Sequence, residues 1–177
     1  MSITLEKMKT LPQDNFPEVV IVHSIGGSKL NPLADTSNHT FKGVQDHHIS
    51  LGWENFGYHW FISKNGIETE GRPEHYHGAH TTDWNYKSIG ICLSGNFDVT
   101  LPTKEQEITL ARRLTAIRAN YPNIPIEPHR KYAKTKKSCY GKLLSDDYAR
   151  NLLIAPVDTK SILLKRIEEL TELVKQL

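Results

Sequence analysis

The sequence predicts an α/β fold: a single domain with a central mixed β-sheet flanked by helices, plus a C-terminal amphipathic helix. Three observations carry this reading. The runs "EVVIVHSIGG" and "SIGICLSGN" are apolar, β-branched and bounded by glycine, as buried strands are. The stretch "PTKEQEITLARRLTAIRANYP" has helical apolar spacing with its own start and stop signals. Strand-like and helix-like runs also alternate along the chain, which is the pattern of a layered α/β domain.

Each element follows in order. "EVVIVHSIGG" is expected as a central strand with His23 at its C-terminal end. "TFKGVQDHHISLGW" has helical character and a stop at Gly52. "GYHWFISKNGIETEGR" reads as two short strands around an Asn65-Gly66 turn, a strong hairpin signal. "SIGICLSGN" supplies a further core strand. Thr103 and Gln106 then form a capping box, and Leu110, Leu114, Ile117 and Tyr121 recur on one helix face until Pro122. "IPIEPH" is a short strand ending at His129, and "SDDYARNLL" a short helix capped by Ser145. Beyond Pro156 the texture changes. Leu163, Ile167, Leu170, Val174 and Leu177 follow a 4-3-4-3 spacing, a short heptad seam. Residues 1–154 are therefore read as the domain and 155–177 as a heptad-patterned helix that associates with itself or with the domain.

Composition narrows the function classes. With 177 residues, 38% of them hydrophobic and 24% charged, the chain can bury one real core and is not of disordered composition. A formal net charge of +2 gives no general case for nucleic acid, so no nucleic-acid partner is expected. The positive charge is local. "HRKYAKTKKSCYGK", residues 129–142, has six Lys or Arg and no carboxylate. No segment approaches the ~20 apolar residues of a membrane span. "MSITLEKMKTLPQDNF" lacks the apolar core of a signal peptide, so synthesis in the cytoplasm without one is expected.

The chemistry-bearing residues gather around strand ends. Ligands in α/β sheets collect beyond the carboxyl ends of strands, where His23 and His129 both fall. Cys139 follows on the basic loop. Two imidazoles and one thiolate suit a catalytic Zn²⁺ that keeps a fourth position open. Spacing alone leaves a rival open: "HYHGAH", with His75, His77 and His80, in which His75 and His77 share a face of an extended segment. Cys92 sits in an apolar strand and reads as a small buried thiol, so no disulfide with Cys139 is expected.

Four blocks in one order carry a resemblance. These are "VVIVHS", "HISLGWENFGYHWFISKNGIETEGR", "GAHTTDWNYKSIGICLSGNF" and "PHRKYAKTKKSCYGK". Over residues 18–153 the chain resembles the type 2 N-acetylmuramoyl-L-alanine amidases, the zinc family that includes phage amidase endolysins and the peptidoglycan recognition proteins. The resemblance implies zinc ligands at His23, His129 and Cys139, and catalytic donors at Tyr58 and Lys137, with Lys136 competing for the latter role. It implies substrate contacts at His48, His80 and Asn85. It further implies hydrolysis of the amide between the lactyl group of N-acetylmuramic acid and L-alanine, with peptidoglycan (muramyl peptide) as partner and the cell wall as the place of action after release. Recognition proteins that bind without cutting commonly lack the ligand cysteine, so Cys139 favours an enzyme. The alternatives are a binding module that does not cut, and an amidase with an added protein-regulatory role. The chain departs from the family pattern at Tyr140, where proline is frequent, and in a slightly long loop between His129 and Cys139.

Overall fold

The computed structural model describes residues 3–134, 138–153 and Lys175. Lys136, Lys137, the 154/155 boundary and the heptad seam lie outside the described residues. The elements are α1 (Leu5–Met8), β1 (Val19–Ser24), α2 (Phe41–Ser50), β2 (Trp60–Ile62), β3 (Glu68–Glu70), β4 (Ser88–Leu93), α3 (Lys104–Asn120), β5 (Ile126–Pro128) and α4 (Tyr148–Asn151), with a 3₁₀ turn at His129–Lys131.

The sheet is five-stranded and mixed, in the order β3-β2-β4-β1-β5. β1 pairs in parallel with β4 and β5, β2 pairs in parallel with β4, and β3 is antiparallel to β2. β1 and β4 are buried along their whole length, which explains why both read as continuous apolar runs rather than as alternating ones. One face of the sheet carries Val20, Val22, Ile89 and Ile91 against Leu110, Leu114 and Ile117 of α3. Each fully buried aliphatic side chain of this kind contributes about 1.5–3 kcal/mol. The capping box starts α3 as expected: Gln106 N–H donates to Thr103 Oγ1 at 3.2 Å, and Thr103 N–H to Gln106 Oε1 at 3.1 Å. Gln106 is itself buried and donates through Nε2 to Ser94 O at 2.8 Å, which ties the helix start to the end of β4.

The opposite face carries the site. Register pairs His23 with Cys92, and Cys92 with Phe61. Paired residues on neighbouring strands point to the same side, so His23, Cys92 and Phe61 form one row there. Phe61 and Cys92 pack under Val44 of α2 and Phe56.

Three expectations shift in detail. The hairpin loop is longer than a two-residue turn: Ser63 N–H donates to Ile67 O at 3.0 Å, and Gly66 takes φ +77 inside that loop. His129 stands one residue beyond β5, in the 3₁₀ turn. Ser145 does not cap α4, whose N-cap is Asp147. The Ser145 carbonyl instead accepts from Tyr148 N–H and from the Tyr140 hydroxyl. Helix α1, capped by Thr4 and anchored by buried Met8, has too short an apolar pattern to announce itself.

Candidate metal centre

β1 and β5 are neighbours, so His23 near the end of one and His129 just past the end of the other come together. Their rings lie 4.3 Å apart, and both residues are buried. Cys139 arrives on the loop after the 3₁₀ turn, held from both sides. Arg130 N–H donates to Cys139 O at 2.6 Å, while the Arg130 guanidinium donates to Gly141 O and Leu144 O, each at 2.8 Å. Asp98 accepts from Ser138 Oγ and from Lys142 N–H, both at 2.7 Å. The loop is basic and is fixed by backbone carbonyls and by carboxylates: Asp98, Asp146, which accepts from Arg130 Nε at 2.7 Å, and Glu127 and Asp83, which pair with Lys131 and Lys134.

The ligand atoms of His23, His129 and Cys139 all lie within 4.8 Å of one another. Among the described residues they are the one such group of three. Cys139 Sγ is 3.9 Å from His23 Nδ1 and accepts the Ser24 N–H at 3.4 Å. A tetrahedral zinc with bonds of 2.0–2.3 Å needs donor separations of about 3.3–3.6 Å. The Cys139–His23 separation of 3.9 Å is slightly wider than this. Two imidazoles and a sulfur also match zinc in softness. The donor set fits.

His75, His77 and His80 do not converge. His75 gives its carbonyl to Asp14 and Asn15. His77 holds Asp14 through Nδ1 at 2.7 Å and stacks on Tyr86 at 4.4 Å. His80 turns instead towards His23.

Tyr58 stands beside the centre, its ring edge-on to His23 at 5.0 Å. Burial, then the Cys92 and Cys139 thiols, raise its phenol well above the usual range. The hydroxyl therefore keeps its proton at neutral pH. His48 packs on Trp53 at 4.3 Å and accepts Gly57 N–H through Nδ1 at 3.0 Å. Burial chiefly, with His47 and Arg72 adding, lowers its pKa to about 4. It is a neutral ring on the cleft wall.

The cleft has two connected parts. A recess of about 650 Å³ contains His23, His129, Cys139, Tyr58 and His80. A second, of about 810 Å³, runs along α2 past His48. They share Trp53, Tyr58 and the Ile25–Ser28 loop. Asn85 lines neither; its Oδ1 accepts the N–H groups of His80 and Thr81 at 2.8 and 2.9 Å. Thr81 was not singled out in the sequence, although its Oγ1 lies 3.0 Å from His80 Nδ1 and 3.4 Å from His23 Nε2. Its only signal was its place directly after His80.

A family model described as N-acetylmuramoyl-L-alanine amidase matches residues 13–142. Peptidoglycan-recognition protein SC2 of Drosophila melanogaster is 36% identical over 101 residues, covering 56% of this chain and 54% of that protein. A human N-acetylmuramoyl-L-alanine amidase is 33% identical over 104 residues, covering 56% of this chain and 18% of that protein. The chain thus spans about half the length of the insect relatives it matches. Among solved structures, the endolysin amidase LysCS of Clostridium intestinale superposes with a TM-score of 0.70 at 24% identity, over 82% of this chain and 89% of that one. The bumblebee recognition protein PGRP-SA gives 0.59 at 20% identity, over 85% and 94%. These two likenesses are of fold.

Proposed function

The chain belongs to the N-acetylmuramoyl-L-alanine amidase family, and from that premise we propose that it is a zinc-dependent hydrolase of the amide between the lactyl group of N-acetylmuramic acid and L-alanine in peptidoglycan. The observation that carries this reading is the convergence of His23, His129 and Cys139 at the floor of a cleft, with Tyr58 beside them. A zinc ion held by these three would polarise the amide carbonyl and acidify a water molecule. Tyr58 keeps its proton and donates to the oxygen that gains charge as the carbonyl is attacked; one such donor is worth about 2.7–4 kcal/mol. The same hydroxyl is assigned a part in proton transfer to the leaving amine. Lys137, outside the described residues, is assigned the second donor role, with Lys136 as its competitor. His48 and Trp53 offer the muramyl peptide a neutral aromatic wall. The segment 155–177 is assigned to self-association or docking on the domain, and the wall is the place of action, as for an endolysin.

The intact donor triad favours cutting over recognition alone. The test is muropeptide release beside zinc content for three variants. Cys139→Ala is expected to lose both. Tyr58→Phe and Lys137→Ala are expected to keep zinc and lose on the order of a hundredfold in turnover. Full zinc occupancy in Cys139→Ala would remove that residue from the ligand set.

A further inference from the structure

The resemblance implies a substrate contact at His80; in the structure its ring lines the recess and its Nδ1 faces the His23 ring. We infer that His80 is the positioning residue of the metal ligand His23, accepting the His23 Nε2–H through its own Nδ1 and so keeping the proton off His23 Nδ1, the nitrogen that faces Cys139. This rests on the zinc reading above.

The geometry carries the inference in three steps. First, the His23 ring is used at both nitrogens: Nδ1 faces Cys139 Sγ at 3.9 Å, and Nε2 faces His80 Nδ1 at 3.1 Å. A neutral imidazole has one proton, so an Nδ1 lone pair aimed at a metal requires the proton on Nε2. Second, that proton needs an acceptor. His80 Nδ1 is the nearer candidate, and Thr81 Oγ1, at 3.4 Å, the weaker one. Third, the His80 ring is held in place. Its far edge rests in a cradle where a Cβ on Gly78 would come within 2.4 Å of it, and one on Gly90 within 2.6 Å. Asn85 Oδ1 clamps the backbone N–H groups of His80 and Thr81.

The cradle also shows the cost. His80 Nε2 is buried and has no hydrogen-bond partner among the described residues. When Nδ1 accepts, the His80 proton must sit on that unmet Nε2. Two N–H groups facing each other at 3.1 Å would be worse, so the zinc-bound state selects this tautomer pair. Ligating histidines commonly donate their second N–H to such an outer partner, and losing it typically costs about 10–100-fold in metal affinity.

The experiment measures zinc affinity by chelator competition, without peptidoglycan, for wild type, His80→Ala, His80→Asn and Thr81→Val. Melting temperature is read on the same samples. Asparagine places an amide oxygen where Nδ1 stands, so it can accept but carries no ring. The expected result is a loss of about 10–100-fold in His80→Ala, substantially restored in His80→Asn, with a smaller effect in Thr81→Val. Long-range ¹H–¹⁵N spectra of the zinc-loaded wild type should show His23 protonated at Nε2. Unchanged affinity in His80→Ala overturns the inference while leaving the zinc reading intact. So does a loss that His80→Asn fails to restore, or one carried wholly by Thr81→Val. Wild-type protein that holds no zinc overturns both readings. Wild-type zinc binding without amide cleavage overturns only the proposed activity.

Discussion

Gly90→Ala tests how the sheet floor shapes the metal centre. Gly90 lies in the middle of β4, and its register partner is Ile21 on β1. A methyl group there would stand 2.6 Å from His80 Cδ2 and Nε2 and 2.7 Å from Cγ. Reaching an ordinary separation of about 3.4 Å requires the imidazole to retreat by about 0.8 Å. Alanine in place of glycine in a strand would by itself gain about 0.5–1 kcal/mol. Overpacking a tight site costs about 1–3 kcal/mol, so the net expectation is destabilisation. At this length each 1 kcal/mol moves the melting temperature by about 2–4 °C. The ring cannot retreat and also hold His23 Nε2 at 3.1 Å, so zinc affinity should fall with stability. Urea denaturation and chelator competition on one preparation give both numbers. The decisive control is the double variant with His80→Ala: with the ring gone, the methyl group has room, and the stability penalty of Gly90→Ala should vanish. A Gly90→Ala protein as stable as wild type, or a penalty that survives in the His80→Ala background, would refute the reasoning.

Two further outcomes are expected. Burial, the largest cause for both rings, holds His48 and His59, the fully buried residue directly before β2, at a pKa of about 4, below the 6.5 of an exposed histidine. The unfolded chain therefore binds more protons between these values. Stability should be complete above pH 6.5 and fall as pH drops towards 4, by at most about 1.4 kcal/mol per pH unit per imidazole, with less from His48 because its ring edges the cleft. Equal urea midpoints at pH 7.5 and 5 would contradict this. Sedimentation of the full chain against a version ending at Ala155 tests the heptad seam; identical monomer masses would rule out self-association.

The fold was legible where local chemistry decides it. β1 and β4 could be read because strands buried on both faces are continuously apolar, and α3 because Thr103 and Gln106 mark its start. α1 was not legible, since four residues give no period. Ser145 looked like a cap from its residue type alone, but α4 begins at Tyr148, three residues later, with Asp147 at the N-cap. Within the site, His23 and His129 stand out because strand ends are where ligands collect. The contact of His80 with His23 spans 57 positions and depends on an absent side chain at Gly90, so no local pattern reports it. The two backbone N–H groups that Asn85 Oδ1 accepts are hidden from the sequence for the same reason: they depend on how the loop from Gly78 to Asn85 folds back.

The central claim is that this chain cuts one particular amide with a metal at His23, His129 and Cys139. Mass spectrometry of purified muropeptides tests it most directly, after digestion by zinc-loaded protein, by chelator-treated protein and by chelator-treated protein resupplied with zinc. The account predicts glycan ending in a free lactyl carboxylate and stem peptide with a free L-alanine amine, absent after chelation and restored by zinc. Zinc-loaded protein that sediments with peptidoglycan yet releases neither product would contradict the account and identify a recognition module.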